Sequence, residues 1–81
     1  MRVTVKLFGA EADAAGQRAA IVSLFEGATV ADLRPALAHL LPALAGRLEG
    51  CRFAVNHAFA DDDMEVRTGD EVALIGQVSG G

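Results

Sequence analysis

The stretch Thr29-Val30-Ala31-Asp32-Leu33-Arg34-Pro35-Ala36-Leu37-Ala38-His39-Leu40-Leu41-Pro42-Ala43-Leu44 decides the fold. Val30, Leu33, Leu37, Leu40, Leu41, Leu44 and, further on, Leu48 recur at three- and four-residue intervals, an apolar stripe that has to lie across a sheet. Thr29 with Asp32 three residues later resembles a capping box, with Asp in place of the usual Glu, and marks the helix start. Pro35 removes one backbone donor past the first turn and can bend the helix, and Pro42 ends its main body. Gly46 to Gly50 lead the chain out.

Strand patterns flank this helix on both sides. From Arg2 to Phe8 the residues alternate, with Val3, Val5 and Leu7 on one face and Thr4, Lys6 and Phe8 on the other. Gly9 to Gly16 is Ala-rich and closed by a glycine suited to a helix C-terminus, so two helical turns and a wide loop are both open. Gln17 to Phe25 reads as a second strand, antiparallel to the first, with Ala20, Val22 and Leu24 inward and Ile21 and Phe25 outward. After the helix come a strand over Cys51–Asn56, a tight turn at Asn56-His57, a short strand at Phe59-Ala60, and a final strand over Glu71–Ile75. One main helix with four or five strands makes a two-layer α+β sandwich the economical arrangement, the helix covering one face of a mixed sheet. The domain occupies residues 1–75, and residues 76–81 form a flexible tail with no helix or strand signal.

Composition bounds the function. The 81 residues make one small domain, of a size that buries about 60 to 65% of its unfolded surface and has little room for a large active-site cavity. With no Trp or Tyr and four Phe, packing rests on Val, Leu, Ile and Ala. A formal net charge of −4 argues against a nucleic-acid or anionic-membrane surface and for a basic partner. The single Cys51 makes no intrachain disulfide, and no apolar run approaches a membrane span, so a soluble cytoplasmic protein is expected.

The tail carries the chemistry. Gly76-Gln77-Val78-Ser79-Gly80-Gly81 reaches roughly 20 Å when extended, and two residues without a Cβ can enter a slot closed to larger ones. The Gly81 carboxylate is ionised at neutral pH and able to attack an activated phosphate. A terminus that simply frays is the other reading of the same composition.

Gly69-Asp70-Glu71-Val72-Ala73-Leu74-Ile75 followed by Val78-Ser79-Gly80-Gly81 resembles the C-terminal signature of the MoaD/ThiS family, that of the small sulfur-carrier subunit of molybdopterin synthase. Val5-Lys6-Leu7-Phe8, Glu26-Gly27-Ala28-Thr29-Val30-Ala31-Asp32-Leu33 and Ala54-Val55-Asn56 fall in the family's order and spacing. The resemblance implies a β-grasp, ubiquitin-like fold. It also implies that the Gly81 carboxylate is adenylated by a ubiquitin-activating-like adenylyltransferase that consumes ATP, with no cofactor bound to this chain itself. A persulfide enzyme then supplies the sulfur of a C-terminal thiocarboxylate. By the same resemblance, Val78, Ser79 and Gly80 are expected to enter the channel of the large subunit of molybdopterin synthase, in a heterotetramer with two large subunits, with the acid-base residues in that subunit. Phe8, Ile21, Phe25 and Ile75 are the expected partner surface. Two departures stand out: Gly76-Gln77 where the family often has Pro-Pro, and no Arg between Glu11 and Gly16.

Other features take bland readings. Cys51 is a small packing residue, His39 lies at the edge of the helix stripe, and His57 sits in a turn with no second ligand at metal spacing. Asp61-Asp62-Asp63 is a solvated loop, and the glycines form no phosphate-binding loop. Rival functions for the tail are sulfur donation to thiamin, cysteine, siderophore or transfer-RNA thiolation, isopeptide modification of other proteins, and an interaction domain with an inert tail.

Overall fold

A computed structural model describes residues 1–76. Arg2–Lys6 forms β1, Ala19–Ser23 β2, Arg52–Val55 β3, Ala58–Ala60 β4 and Val72–Ile75 β5. The five strands hydrogen-bond in the order β2-β1-β5-β3-β4. β1 and β5 run parallel at the centre, and every other pair is antiparallel. Gly9–Ala15 is helix α1, Val30–Leu40 is helix α2, and 3-10 turns follow at Pro42–Leu44 and Leu48–Gly50. This is the β-grasp arrangement, and among the described residues the mixed sheet has five strands.

Alternation along the strands explains why one sheet face is covered. Val3, Val5, Leu7, Ala20, Val22, Phe53, Val55, Val72 and Leu74 are all at most 3% exposed, and they meet Val30, Leu33 and Leu37 of α2. Each fully buried Val, Leu or Phe contributes about 1.5 to 3 kcal/mol, which lets a domain without Trp or Tyr hold together. Cys51 is a buried member of the same core.

The segment from Gly9 to Gly16 is a helix, closed by Gly16 at φ 72, where its N–H bonds back to the Ala12 carbonyl. The α2 stripe is shorter than its spacing suggests. Leu40 is 47% exposed and Leu41 only half-buried, because the helix stops at Leu40 ahead of Pro42 and the 3-10 turns bring Leu44 and Leu48 back into the core. At its start, the Asp32 carboxylate accepts the Thr29 backbone N–H at 2.8 Å, and the Val30 and Ala31 N–H groups bond the carbonyls of Met64 and Asp62. The acidic loop thus caps the helix with its backbone and holds Arg34 through Asp62 at 2.6 Å. Among the described residues, no helix is long and apolar enough to cross a membrane.

Candidate functional site

The sheet face away from α2 has no covering layer among the described residues. In register across it lie Lys6 opposite Ala73, Ala73 opposite Ala54, and Ala54 opposite Phe59. Two alanines at the centre leave a trough of about 390 Å³, walled by Phe8, Phe59 and Ile75 and edged by Lys6, His57 and Glu71. Phe8 is 54% exposed and Phe59 57%, so the walls are apolar surface turned to water. The Arg52 guanidinium lies 4.2 Å above the Phe59 ring, a cation–π contact that holds the ring upright. Glu71 sits 2.8 Å from His57 and 3.9 Å from Lys6, exposed pairs of little worth to stability. An apolar floor inside a charged rim has the anatomy of a transient protein interface.

The residues expected at a partner surface fall into two groups. Phe8 and Ile75 share the trough. Ile21 lies on the outer strand β2, in a smaller depression with Ser23, Ala36, His39 and Leu40, and Phe25, 65% exposed, follows that strand. Phe59 was not singled out from the sequence; its signal was the strand pairing, which puts it beside Ala54 and not in the core.

β5 delivers the chain to this site. Its start is pinned by Asn56, whose side-chain oxygen accepts the Glu71 N–H at 3.0 Å and whose side-chain amide donates to Asp70 at 3.1 Å. Asn56 and His57 both take positive φ, 52° and 71°, forming the two-residue turn between β3 and β4. Thus Ala54-Val55-Asn56 and Gly69-Asp70-Glu71, distant in sequence, meet at one corner of the fold. β5 runs from that corner to Ile75 and Gly76, beside the trough. Gln77, Val78, Ser79, Gly80 and Gly81 lie outside the described residues, as do the channel-entering and carboxylate roles expected of Val78 to Gly81.

A second depression, about 560 Å³, lies where β5 ends, with Phe8, Glu11, Arg47, Cys51 and Gly76 in its lining. Glu11 is buried there, with an oxygen 3.7 Å from Arg47. Among the described residues, no group of three His, Cys, Asp or Glu is placed to hold a metal ion.

Comparison with known proteins places these features in context. The model of the ThiS family matches residues 5–81. The molybdopterin synthase sulfur carrier subunit of Chlamydomonas reinhardtii is 32% identical over 83 residues, with both chains covered in full. The structure of SAMP1 from Haloferax volcanii superposes with a TM-score of 0.89 at 32% identity, again over both whole chains. A Pyrococcus furiosus protein assigned as molybdopterin converting factor subunit 1 gives 0.84 at 28% identity, over 95% of this chain and 98% of that one.

Proposed function

The chain belongs to the ThiS sulfur-carrier family, and from that premise we propose that it is the small, sulfur-donating subunit of molybdopterin synthase, with Gly81 as the reacting residue. The observation that carries the reading is 32% identity, over the full length of both chains, to a molybdopterin synthase sulfur carrier subunit, with a family match that runs to residue 81. The Gly81 carboxylate attacks the α-phosphate of ATP in an adenylyltransferase, releasing pyrophosphate and forming an acyl adenylate. A persulfide sulfur displaces AMP, and a thiol then cleaves the acyl persulfide to leave the thiocarboxylate and a disulfide. The tail residues Val78, Ser79 and Gly80 carry this group into the large subunit, which supplies the acid-base groups. This chain therefore donates sulfur and needs a partner to act.

The trough walled by Phe8, Phe59 and Ile75 is the docking face for that partner, with Ile21 and Phe25 extending the contact toward β2. Cytoplasmic location fits the single cysteine. The experiment is intact mass after incubation with an adenylyltransferase, ATP and a persulfide donor. A gain of about 16 Da, oxygen replaced by sulfur on a carboxylate that ionises at neutral pH, is expected and should vanish when Gly81 is deleted or one residue is added after it. Sulfur transfer retained in either variant refutes the assignment.

Similarity to SAMP1, a small archaeal modifier protein, favours a second reading in which Gly81 forms an isopeptide bond with lysines of other proteins. A Gly-Gly remnant on target lysines after proteolysis would establish it. Loss of molybdopterin on removal of the protein separates the first reading from donation to other sulfur acceptors.

A further inference from the structure

No partner can cover Phe59 without covering Arg52. The Arg52 guanidinium lies 4.2 Å from the centre of the Phe59 ring, and on its other side Arg52 stands in register with Ile75. An exposed cation is therefore set between two apolar walls of the trough. Four of the seven Lys and Arg have carboxylate partners: Lys6 with Glu71, Arg34 with Asp62, Arg47 with Glu11 and Arg67 with Glu65. Glu71 also faces His57, so the acid on the trough's rim is already engaged. Among the described residues Arg52 makes no ion pair and no side-chain hydrogen bond, not even with Asp61, just past the end of β4. It is the uncompensated charge of the docking face.

We propose that Arg52 sets the specificity of that face, by requiring the docked subunit to lay an Asp or Glu carboxylate against its guanidinium. The inference rests on the reading of the trough as the docking face. A subunit that covers the Phe59 ring strips water from the guanidinium stacked on it, and a desolvated charge without an acceptor is costly. The planar fork of an arginine takes a carboxylate through two parallel N–H···O bonds, a geometry that a lysine does not offer. Contact with the ring already restrains the side chain, so less freedom is lost on binding. A subunit with the right apolar shape and no acid at this point leaves Arg52 stranded and is rejected. The net charge of −4 favours a basic partner at long range, and Arg52 marks one acidic spot within that partner's contact surface.

The test follows association and dissociation of the purified large subunit with the native protein and with Arg52→Gln, Arg52→Glu and Arg18→Gln. Arg52→Gln should raise the dissociation rate about tenfold or more and change association less than about threefold. Arg52→Glu has nearly the shape of Arg52→Gln but carries a negative charge, and should raise Kd about tenfold further by meeting the partner's acid. Arg18→Gln makes the same change in net charge beside β2, on the far side of the sheet, and should leave dissociation within about twofold. Equal Kd values for Arg52→Gln and Arg52→Glu, or a loss in Arg52→Gln no larger than in Arg18→Gln, overturn the proposal. Phe59→Ala separates the two readings. Binding weakened by Phe59→Ala and unchanged by Arg52→Gln removes the carboxylate alone. Native-like binding of both variants removes the trough as the docking face, and this proposal with it.

Discussion

Replacing Phe59 by Ala should weaken docking of the large subunit about 30-fold while leaving the fold almost untouched. An aromatic side chain buries about 150 to 250 Å² when fully covered. Phe59 is 57% exposed in the free protein, so roughly 110 Å² is left for a partner to cover. At about 25 cal/mol per Å² that area is worth ~2.7 kcal/mol. Alanine keeps the Cβ and a partner leaves some edge wet, so about 2 kcal/mol is lost, on the order of 30-fold in Kd. The loss should appear in dissociation rate more than association. Thermal unfolding should shift little, since an exposed side chain contributes mainly its contact with Arg52, about 0.5 to 1 kcal/mol. The assay is calorimetric titration of the large subunit with the native and variant proteins, with Ile21→Ala as the comparison from outside the trough. An unchanged Kd for Phe59→Ala, or a larger effect from Ile21→Ala, would refute the trough as the centre of the interface.

Asn56→Ala removes both side-chain bonds that pin the start of β5 and puts alanine at φ 52; denaturant titration should show a loss of about 1 to 3 kcal/mol, and Asn56→Gly less of the backbone part. Leu33→Ala, in the fully buried stripe of α2, should cost about 2 to 5 kcal/mol, a large share of the stability of a domain this small, and show as a lower unfolding midpoint. Asp32→Ala removes the acceptor of the Thr29 N–H and should cost about 1 kcal/mol by the same measurement.

Local chemistry was readable wherever a residue's role depends on its sequence neighbours. The alternation of Val3, Val5 and Leu7, the Thr29–Asp32 cap and the Asn56-His57 turn all arise within a few residues, and each is found as read. Leu40 fits the three- and four-residue spacing of the stripe, yet it is the last residue of α2 and stays 47% exposed, because spacing alone does not show where a helix leaves the sheet. The trough was only half legible. Phe8 follows from alternation and Ile75 from the expected partner surface, but Phe59 joins them through pairing of β3 with β4, and the two alanines that make the hollow carry no signal alone. The glycine at 76 was visible as a departure from Pro-Pro.

The central place of β5 has a consequence for how the protein is made. With the order β2-β1-β5-β3-β4, the β1–β2 and β3–β4 pairs share no sheet hydrogen bonds until residues 72–75 are inserted between them. A nascent chain interrupted before that point holds two antiparallel strand pairs and two helices with no common sheet, and such fragments have too little buried surface to persist. The trough is completed by the same insertion, since Ala73 is part of its floor and Ile75 of its wall. A chain broken off early on the ribosome therefore offers a partner nothing to hold. Closing of the sheet and completion of the trough are therefore one step.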